Sequence, residues 1–219
     1  VSPGHPAELL NRVSGVHVND LGGEGHMTAI RQPITTGGVY LFLEDGLPTR
    51  PTGFFNHNGL YEIDIPNAGR VEVTKGPGSA LFGRSEPGGT VNIITKKPQF
   101  EPQGYLQLSA GKFDQYRLEG DYTTGVNDKL AIRVNGAVQD YDSFRDYVGN
   151  KKTVFTPSVS YLVNDHSTLN YEFEYLKQEQ LFDRGLLVLN NNLHTLPRSR
   201  YLGEPDDGPT EVDATGHQL

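Results

Sequence analysis

Between Leu169 and Tyr175 the chain reads LNYEFEY, with Leu169, Tyr171, Phe173 and Tyr175 alternating strictly with Asn170, Glu172 and Glu174. A period of two sends successive side chains to opposite faces of an extended strand, so this segment has one apolar and one charged face and cannot be an amphipathic helix. The same alternation recurs through the second half. Tyr116, Leu118, Gly120, Tyr122 and Thr124 oppose Arg117, Glu119, Asp121 and Thr123; Leu130, Ile132, Val134 and Val138 oppose Arg133, Asn135 and Gln139. Phe155, Val159, Tyr161 and Val163 oppose Thr156, Ser158 and Ser160, and Leu106, Leu108 and Ala110 form a shorter first face. Five strands in succession predict an antiparallel sheet.

Two surroundings suit such a sheet. One is water on the polar face and a protein core on the apolar face, as in a soluble sandwich. The other is lipid outside and a wet lumen inside, as in a transmembrane β-barrel. Tyrosines near several strand ends and an alternation of short and long connections fit the barrel. Val126-Asn127-Asp128 and Val163-Asn164-Asp165 predict two near-identical tight turns, and the connection from Asp142 to Lys152 between them is longer. A polar stretch from about 181 to 216 is longer than an ordinary hairpin loop, and His217-Gln218-Leu219 reads as the start of a sixth strand. Short turns would face the periplasm and long loops the outside.

Composition narrows the function classes. Of 219 residues, 35% are hydrophobic, and apolar runs last only a few residues, so no helix of the roughly 18 consecutive apolar residues needed to cross a bilayer is predicted. That test is blind to membrane strands. With no cysteine there are no disulfides or thiolate metal sites. A net charge of -8 argues against nucleic acid as a partner. Residues 1–98 carry 8 Lys+Arg and 9 Asp+Glu, against 11 and 18 in the remainder, so the excess negative charge lies in the strand-rich half. The opening VSPGHPAELL has no signal-peptide pattern, so any targeting segment is expected to lie outside this sequence.

Ahead of the strands, Val71 to Pro98 reads VEVTKGPGSALFGRSEPGGTVNIITKKP. Two apolar-alternating runs flank a turn bearing Gly76, Gly78, Gly83, Gly88 and Gly89, with Pro77 and Pro87 fixing its entries, which predicts a strand-turn-strand unit. This string resembles the end of the plug domain of TonB-dependent outer-membrane receptors. PAELLNRVSGVHVND (Pro6 to Asp20), the segment around Arg31, VYLFLEDGLPTRP (Val39 to Pro51) and RSEPGG (Arg84 to Gly89) follow in the family's order, and PRSRYLGEPDD (Pro197 to Asp207) resembles its siderophore-transporting branch.

The resemblance implies a plug domain over residues 1–98, small and mixed α/β with a four- to five-stranded sheet, followed by barrel strands over 99–219, with a long extracellular loop at about 181–216. A helix is expected at Pro6 to Arg12, strands at Val16 to Asn19, Met27 to Arg31, Val39 to Glu44, Val71 to Lys75 and Thr90 to Lys96, and a helical turn at Ser79 to Phe82. Receptors of this family close around roughly 22 strands with the plug in the lumen. About five strands cannot close such a barrel, so the sequence is expected to be a piece of one.

In that family the plug's outward loops and the external loops grip the substrate. The apices would fall around Arg31 to Thr36 and over Pro48 to Tyr61, where Arg50 could pair with an anionic chelate. There Phe54, Phe55 and Tyr61 offer flat apolar surface, and Asn56, His57 and Asn58 offer hydrogen bonds. Structural roles are the plain alternative: Arg31 as an ion-pair partner, the aromatics as plug packing. Lys75, Gly76, Pro77, Gly83, Arg84, Gly88 and Gly89 carry the plug motif. Lys75 stands where many members have an arginine that can lock bidentately to barrel glutamates, and Gln32 where a glycine commonly follows Arg31. No cofactor and no protein-bound metal are expected, because a siderophore already fills iron's coordination sphere. His26 beside Glu24 is a weak metal pair. Implied partners are a ferric siderophore, the TonB-ExbB-ExbD coupling complex and outer-membrane lipid, and the implied location is the Gram-negative outer membrane. The family's energy-coupling box is not among these residues.

Other functions stay open. Receptors of this fold also take cobalamin, ferric citrate or oligosaccharides, and a non-transport extracellular β-sheet binding module shares the alternation. An enzyme is disfavoured: GPGSALFG (Gly76 to Gly83) lacks the lysine and hydroxyl of a phosphate-binding loop. Glu172 and Glu174 share one strand face rather than facing across a cleft, and no Gly-x-Ser-x-Gly elbow is present.

Overall fold

The computed structural model describes residues 9–22, 25–31, 41–48, 64–82, 88–181, 183, 185–192, 195–207 and 210–219. The chain divides into two compact units, Val1–Lys96 and Lys97–Leu219.

In the first unit, Leu9 and Leu10 end a helical turn closed by Arg12 N–H donating to the Leu9 carbonyl at 3.2 Å. Pro6, Ala7 and Glu8 of the expected Pro6 to Arg12 helix lie outside the described residues, and Asn11 and Arg12 are turn rather than helix. Strands β1 (Val16–Gly22) and β2 (Gly25–Ile30) pair as a separate antiparallel hairpin. The main sheet has the order β4-β3-β6-β5, built from β3 (Leu41–Glu44), β4 (Leu47–Pro48), β5 (Ala68–Lys75) and β6 (Gly89–Thr95). The five expected strands therefore do not share one sheet: three of them form it together with β4, which was not expected, and the other two make the hairpin that packs on it. Leu10, Val16, Ile30, Phe42, Val91 and Ile93 make one buried cluster, so hairpin and sheet share a core.

β6 is the centre of that sheet, parallel to β3 on one side and antiparallel to β5 on the other. Its TVNII run is buried almost throughout, as a strand covered on both faces requires. The β5–β6 connection carries α1 (Ser79–Phe82), and its register closes with Lys75 opposite Gly89. Gly89 has φ +147°, and a Cβ there would stand 2.2 Å from the Thr74 carbonyl oxygen.

A polar relay braces the β3–β4 turn. The Asp45 carboxylate accepts from Thr95 N–H at 3.0 Å and from the Thr95 hydroxyl at 2.6 Å. Gly46 N–H donates to Asn92 Oδ1 at 3.0 Å, and Asn92 donates to Glu72 at 3.3 Å. Arg70 donates to Glu72 at 2.7 Å, and this charged bond holds the Glu72 carboxyl below its ordinary value. Asp45 and Gly46, at φ +47° and +85°, form the left-handed turn that an Asp-Gly pair favours.

The second unit is one six-stranded antiparallel meander, in which every strand pairs with its sequence neighbour: β7 (Gln103–Gly111), β8 (Gln115–Asn127), β9 (Leu130–Asp142), β10 (Gly149–Asn164), β11 (Ser167–Gln180) and β12 (Thr210–Gln218). The sixth strand begins at Thr210, not at His217, so the connection after β11 ends earlier than the expected 216. Residues 210–216, TEVDATG, are too polar and too small to show a strand pattern, and it is pairing with β11 from Gln180–Thr210 to Glu172–Gln218 that makes them one. The connection expected from Asp142 to Lys152 is likewise shorter, since the β9–β10 pairing starts at Asp142 and Gly149.

Gly89→Ala is expected to destabilise the first unit by about 3 kcal/mol or more, because its Cβ meets backbone that cannot yield. Gly46→Ala, with nothing within 4 Å of its Cβ, is expected to cost only about 1 kcal/mol of left-handed strain. Denaturant melts of the two variants would distinguish steric from conformational cost.

Candidate transmembrane face and ligand site

The sheet of the second unit has its polar side buried and its apolar side exposed. On β8, Arg117, Glu119, Asp121 and Thr123 are buried, while Tyr116, Leu118 and Tyr122 are exposed. On β9, Arg133, Asn135 and Gln139 are buried, while Val134 and Val138 are exposed. Thr156, Ser158, Ser160, Glu172 and Glu174 continue the buried row, and Phe155, Tyr161, Leu169 and Tyr171 the exposed one. Leu106 and Leu108 are each 78% exposed, whereas Glu172 and Glu174 are each 5% exposed. A water-soluble sheet inverts this order, because it gains stability by hiding apolar area. An apolar exterior over a charged interior is stable where the exterior meets hydrocarbon, with every backbone group paired to a neighbouring strand. β8, β9, β10 and β11 have 13, 13, 16 and 14 residues, more than the roughly 9–11 a tilted spanning strand needs.

Buried charges require partners, and the inner face supplies them. Arg133 donates to both Asp121 oxygens, at 2.7 and 2.5 Å, in a two-pronged pair. Arg117 donates to Glu119 at 2.7 Å and to Gln139 at 2.8 Å, and Gln139 passes a bond on to Asn150 at 2.9 Å. One connected network therefore crosses three strands. Arg133 also donates to the Lys97 carbonyl at 2.9 Å, which fixes the segment entering the sheet; Gln99 N–H on the Thr123 hydroxyl at 2.8 Å does the same.

The connections divide by length and by side. At one end, β8–β9 and β10–β11 turn through Asp128–Lys129 and Asp165–His166. The side-chain oxygen of Asn127 accepts from Lys129 and Leu130 N–H, and that of Asn164 accepts from His166 N–H, each at 2.9 Å. These are the paired Val-Asn-Asp turns of the sequence. At the other end lie residues 112–114 and 143–148, and there β11 ends at Gln180 and β12 begins at Thr210.

Of the residues proposed from sequence to hold substrate, Arg31 is described. It follows β2 rather than ending it, in a left-handed conformation at φ +55°, exposed, with its N–H on the Gly15 carbonyl at 2.9 Å. Arg50, Phe54, Phe55, Asn56, His57, Asn58 and Tyr61 lie outside the described residues, as do Gly83 and Arg84 of the plug motif. Within that motif Lys75 ends β5, Gly76 has φ +105° and donates its N–H to the Gly88 carbonyl at 2.9 Å, Pro77 is exposed, and Gly88 and Gly89 are buried. Asp45 was not foreseen from the sequence, although the Asp-Gly pair after the LFLE strand marks its turn. The ion pair between Arg145 and Asp183 was not foreseen either, and no local pattern marks it.

Residues 3–90 match the family model of the TonB-dependent receptor plug domain. The metal-pseudopaline receptor CntO of Pseudomonas aeruginosa is 46% identical over 155 residues, which is 70% of this chain and 22% of that receptor. The ferrioxamine receptor of Yersinia enterocolitica is 29% identical over 163 residues, 74% of this chain and 23% of that one. Among solved structures, P. aeruginosa FpvA bound to a heterologous pyoverdine matches with a TM-score of 0.82 at 24% identity, over 97% of this chain and 28% of that one, a likeness of fold. The chain spans under a quarter of the length of these curated relatives. It belongs to the TonB-dependent receptors of the bacterial outer membrane and carries their plug domain and a run of their barrel strands. The relatives it matches are receptors rather than enzymes.

Two measurements check the sidedness. Asp121→Ala, which strands the buried Arg133 charge, is expected to cost about 3–5 kcal/mol in unfolding from lipid vesicles, with most of it recovered in Asp121→Ala/Arg133→Leu. Leu118→Arg, on the exposed face, is expected to cost about 2–4 kcal/mol in a bilayer. A Leu118→Arg protein as stable as the parent would show that this face does not meet lipid.

Proposed function

We propose that the chain is part of a receptor that imports a metal-siderophore complex across the outer membrane, with a ferric siderophore as the expected cargo. The observation that carries this reading is the inverted sheet, a membrane-spanning wall joined in sequence to a plug domain. The names of the similar proteins, a metal-pseudopaline receptor and a ferrioxamine receptor, support a chelated metal as the substrate class.

In this scheme the substrate docks from outside on the plug apices, Arg31 and the segment Arg50 to Tyr61, and on the external loops. Arg50 meets anionic charge, Phe54, Phe55 and Tyr61 stack on flat ligand groups, and Asn56, His57 and Asn58 adapt their hydrogen bonds. The metal travels inside its chelator, so the protein supplies no ligand to it and needs no cofactor. No covalent bond changes. Work comes from the TonB-ExbB-ExbD complex pulling on the plug, and outer-membrane lipid covers the apolar face of the strands.

The test is growth of a metal-starved strain lacking the full-length receptor, with and without the gene restored, on ferric complexes of a tris-catecholate, a tris-hydroxamate, citrate and an aminocarboxylate, with cobalamin uptake alongside. Restored growth on at least one chelate is expected. Restoration of cobalamin uptake alone would overturn the chelate reading. Phe54→Ala/Phe55→Ala in the full-length receptor is expected to weaken binding of the imported chelate about tenfold or more, about 1.4 kcal/mol, by equilibrium titration. Unchanged affinity would remove this segment from the site.

A further inference from the structure

At the end of the sheet opposite the two tight turns, one arginine holds three stretches of chain together. Arg145, in the β9–β10 loop, pairs through Nε with Asp183 just after β11, and the two side chains are 14% and 2% exposed. Its Nη1 donates to the carbonyls of Arg200 at 3.2 Å and Arg198 at 3.4 Å, more than 50 residues further along the chain. The neighbouring Asp146 N–H donates to the Ser199 carbonyl at 2.8 Å. Asp183 is itself held, its other oxygen accepting from Gly185 N–H at 2.8 Å.

The clasp has a consequence for the surface above it. Phe144, next to Arg145, is 43% exposed, and the Arg198 guanidinium sits 5.0 Å from its ring centroid, within cation–π range. Arg145 is neutralised by Asp183, whereas Arg198 is exposed and makes no ion pair among the described residues. Arg200, two residues on, is also exposed and without such a pair. In a chain of net charge -8 these two arginines, neither with an ion-pair partner among the described residues, make a cationic spot at the long-loop end of the sheet, and Arg198 in it is seated on an aromatic ring.

We propose that Arg145 is the positioning residue of an external docking patch: it clasps Asp183 and residues 198–200 onto the 143–148 loop and so holds Arg198 over Phe144 as an outer contact for an anionic metal chelate. The inference rests on the transport reading above and extends it to named residues of the barrel loops. Arginine suits the clasp because its planar fork can reach a carboxylate and two carbonyls at once, which a lysine ammonium on a flexible stem cannot. Arginine also suits the contact, since a guanidinium backed by a ring keeps its donors turned outward to a carboxylate, catecholate or hydroxamate oxygen.

The test uses the full-length receptor in detergent, the four ferric complexes named above as binding probes, and limited trypsin cleavage after Arg198 and Arg200 as a separate readout. Arg145→Ala and Asp183→Asn are expected to accelerate cleavage at least tenfold and to weaken binding of the preferred anionic complex about tenfold, with Arg145→Lys between them and the parent. Arg198→Ala, a surface change that leaves the clasp intact, is expected to weaken binding equally, to slow association and to flatten its salt dependence, while cleavage after Arg200 stays slow. Unchanged cleavage in Arg145→Ala, faster cleavage with unchanged affinity, or normal binding by Arg198→Ala would each overturn the proposal. A parent protein that binds none of the probes while its loop stays protected would instead count against the transport reading.

Discussion

Hydrocarbon offers no hydrogen-bond partner, and this absence organises the second unit. Each strand must find its backbone partners in the next strand, and the six-stranded meander does so by pairing every strand with its sequence neighbour. Where a strand is paired on both sides, as β8 to β11 are, the exposed face is free to be Leu, Val, Phe and Tyr. The buried face must then find partners for the charges it carries, as the two-pronged Arg133–Asp121 pair and the Arg117–Glu119–Gln139 network do on β8 and β9. The same residues in water would form a sheet turned inside out.

Such a network gives shape more than net stability. Two charges removed from water cost several kcal/mol each, and their attraction roughly repays it when the geometry is good. Its directional bonds do specify register, because a one-residue slip would put Arg117 and Arg133 on the lipid side. The Arg133 bond to the Lys97 carbonyl carries that specification into the stretch where the second unit begins. Strand pairing, buried charge and the entry of the chain thus constrain one another.

The first unit follows the opposite logic, with an apolar core around Val91 and Ile93 and its polar chemistry at the sheet's margin. There the Asp45, Thr95, Asn92, Glu72 and Arg70 relay joins a left-handed turn to the two strands that follow it in the sheet. This holds one edge of the sheet close to the β3–β4 connection, after which the chain runs into the segment proposed to meet substrate.

The sequence by itself determined the strands whose faces differ in chemistry. LNYEFEY and YRLEGDYTTG could be placed, faced and turned from alternation, and the Val-Asn-Asp pairs located the tight turns, because period and Asn chemistry are local properties. Alternation could not say which face is wet, since a sandwich and a barrel share it; the burial of Glu172 and Glu174 beside the exposure of Leu169 and Tyr171 decided that. β12 has almost no pattern of its own and exists because β11 presents it with partners. The Arg145 clasp lies further still from local reading, for it joins loops that are neighbours only once β9, β10 and β11 have paired. Periodicity is written residue by residue along the chain, but contacts between distant loops depend on where the finished sheet delivers their ends, and only the tertiary structure sets that.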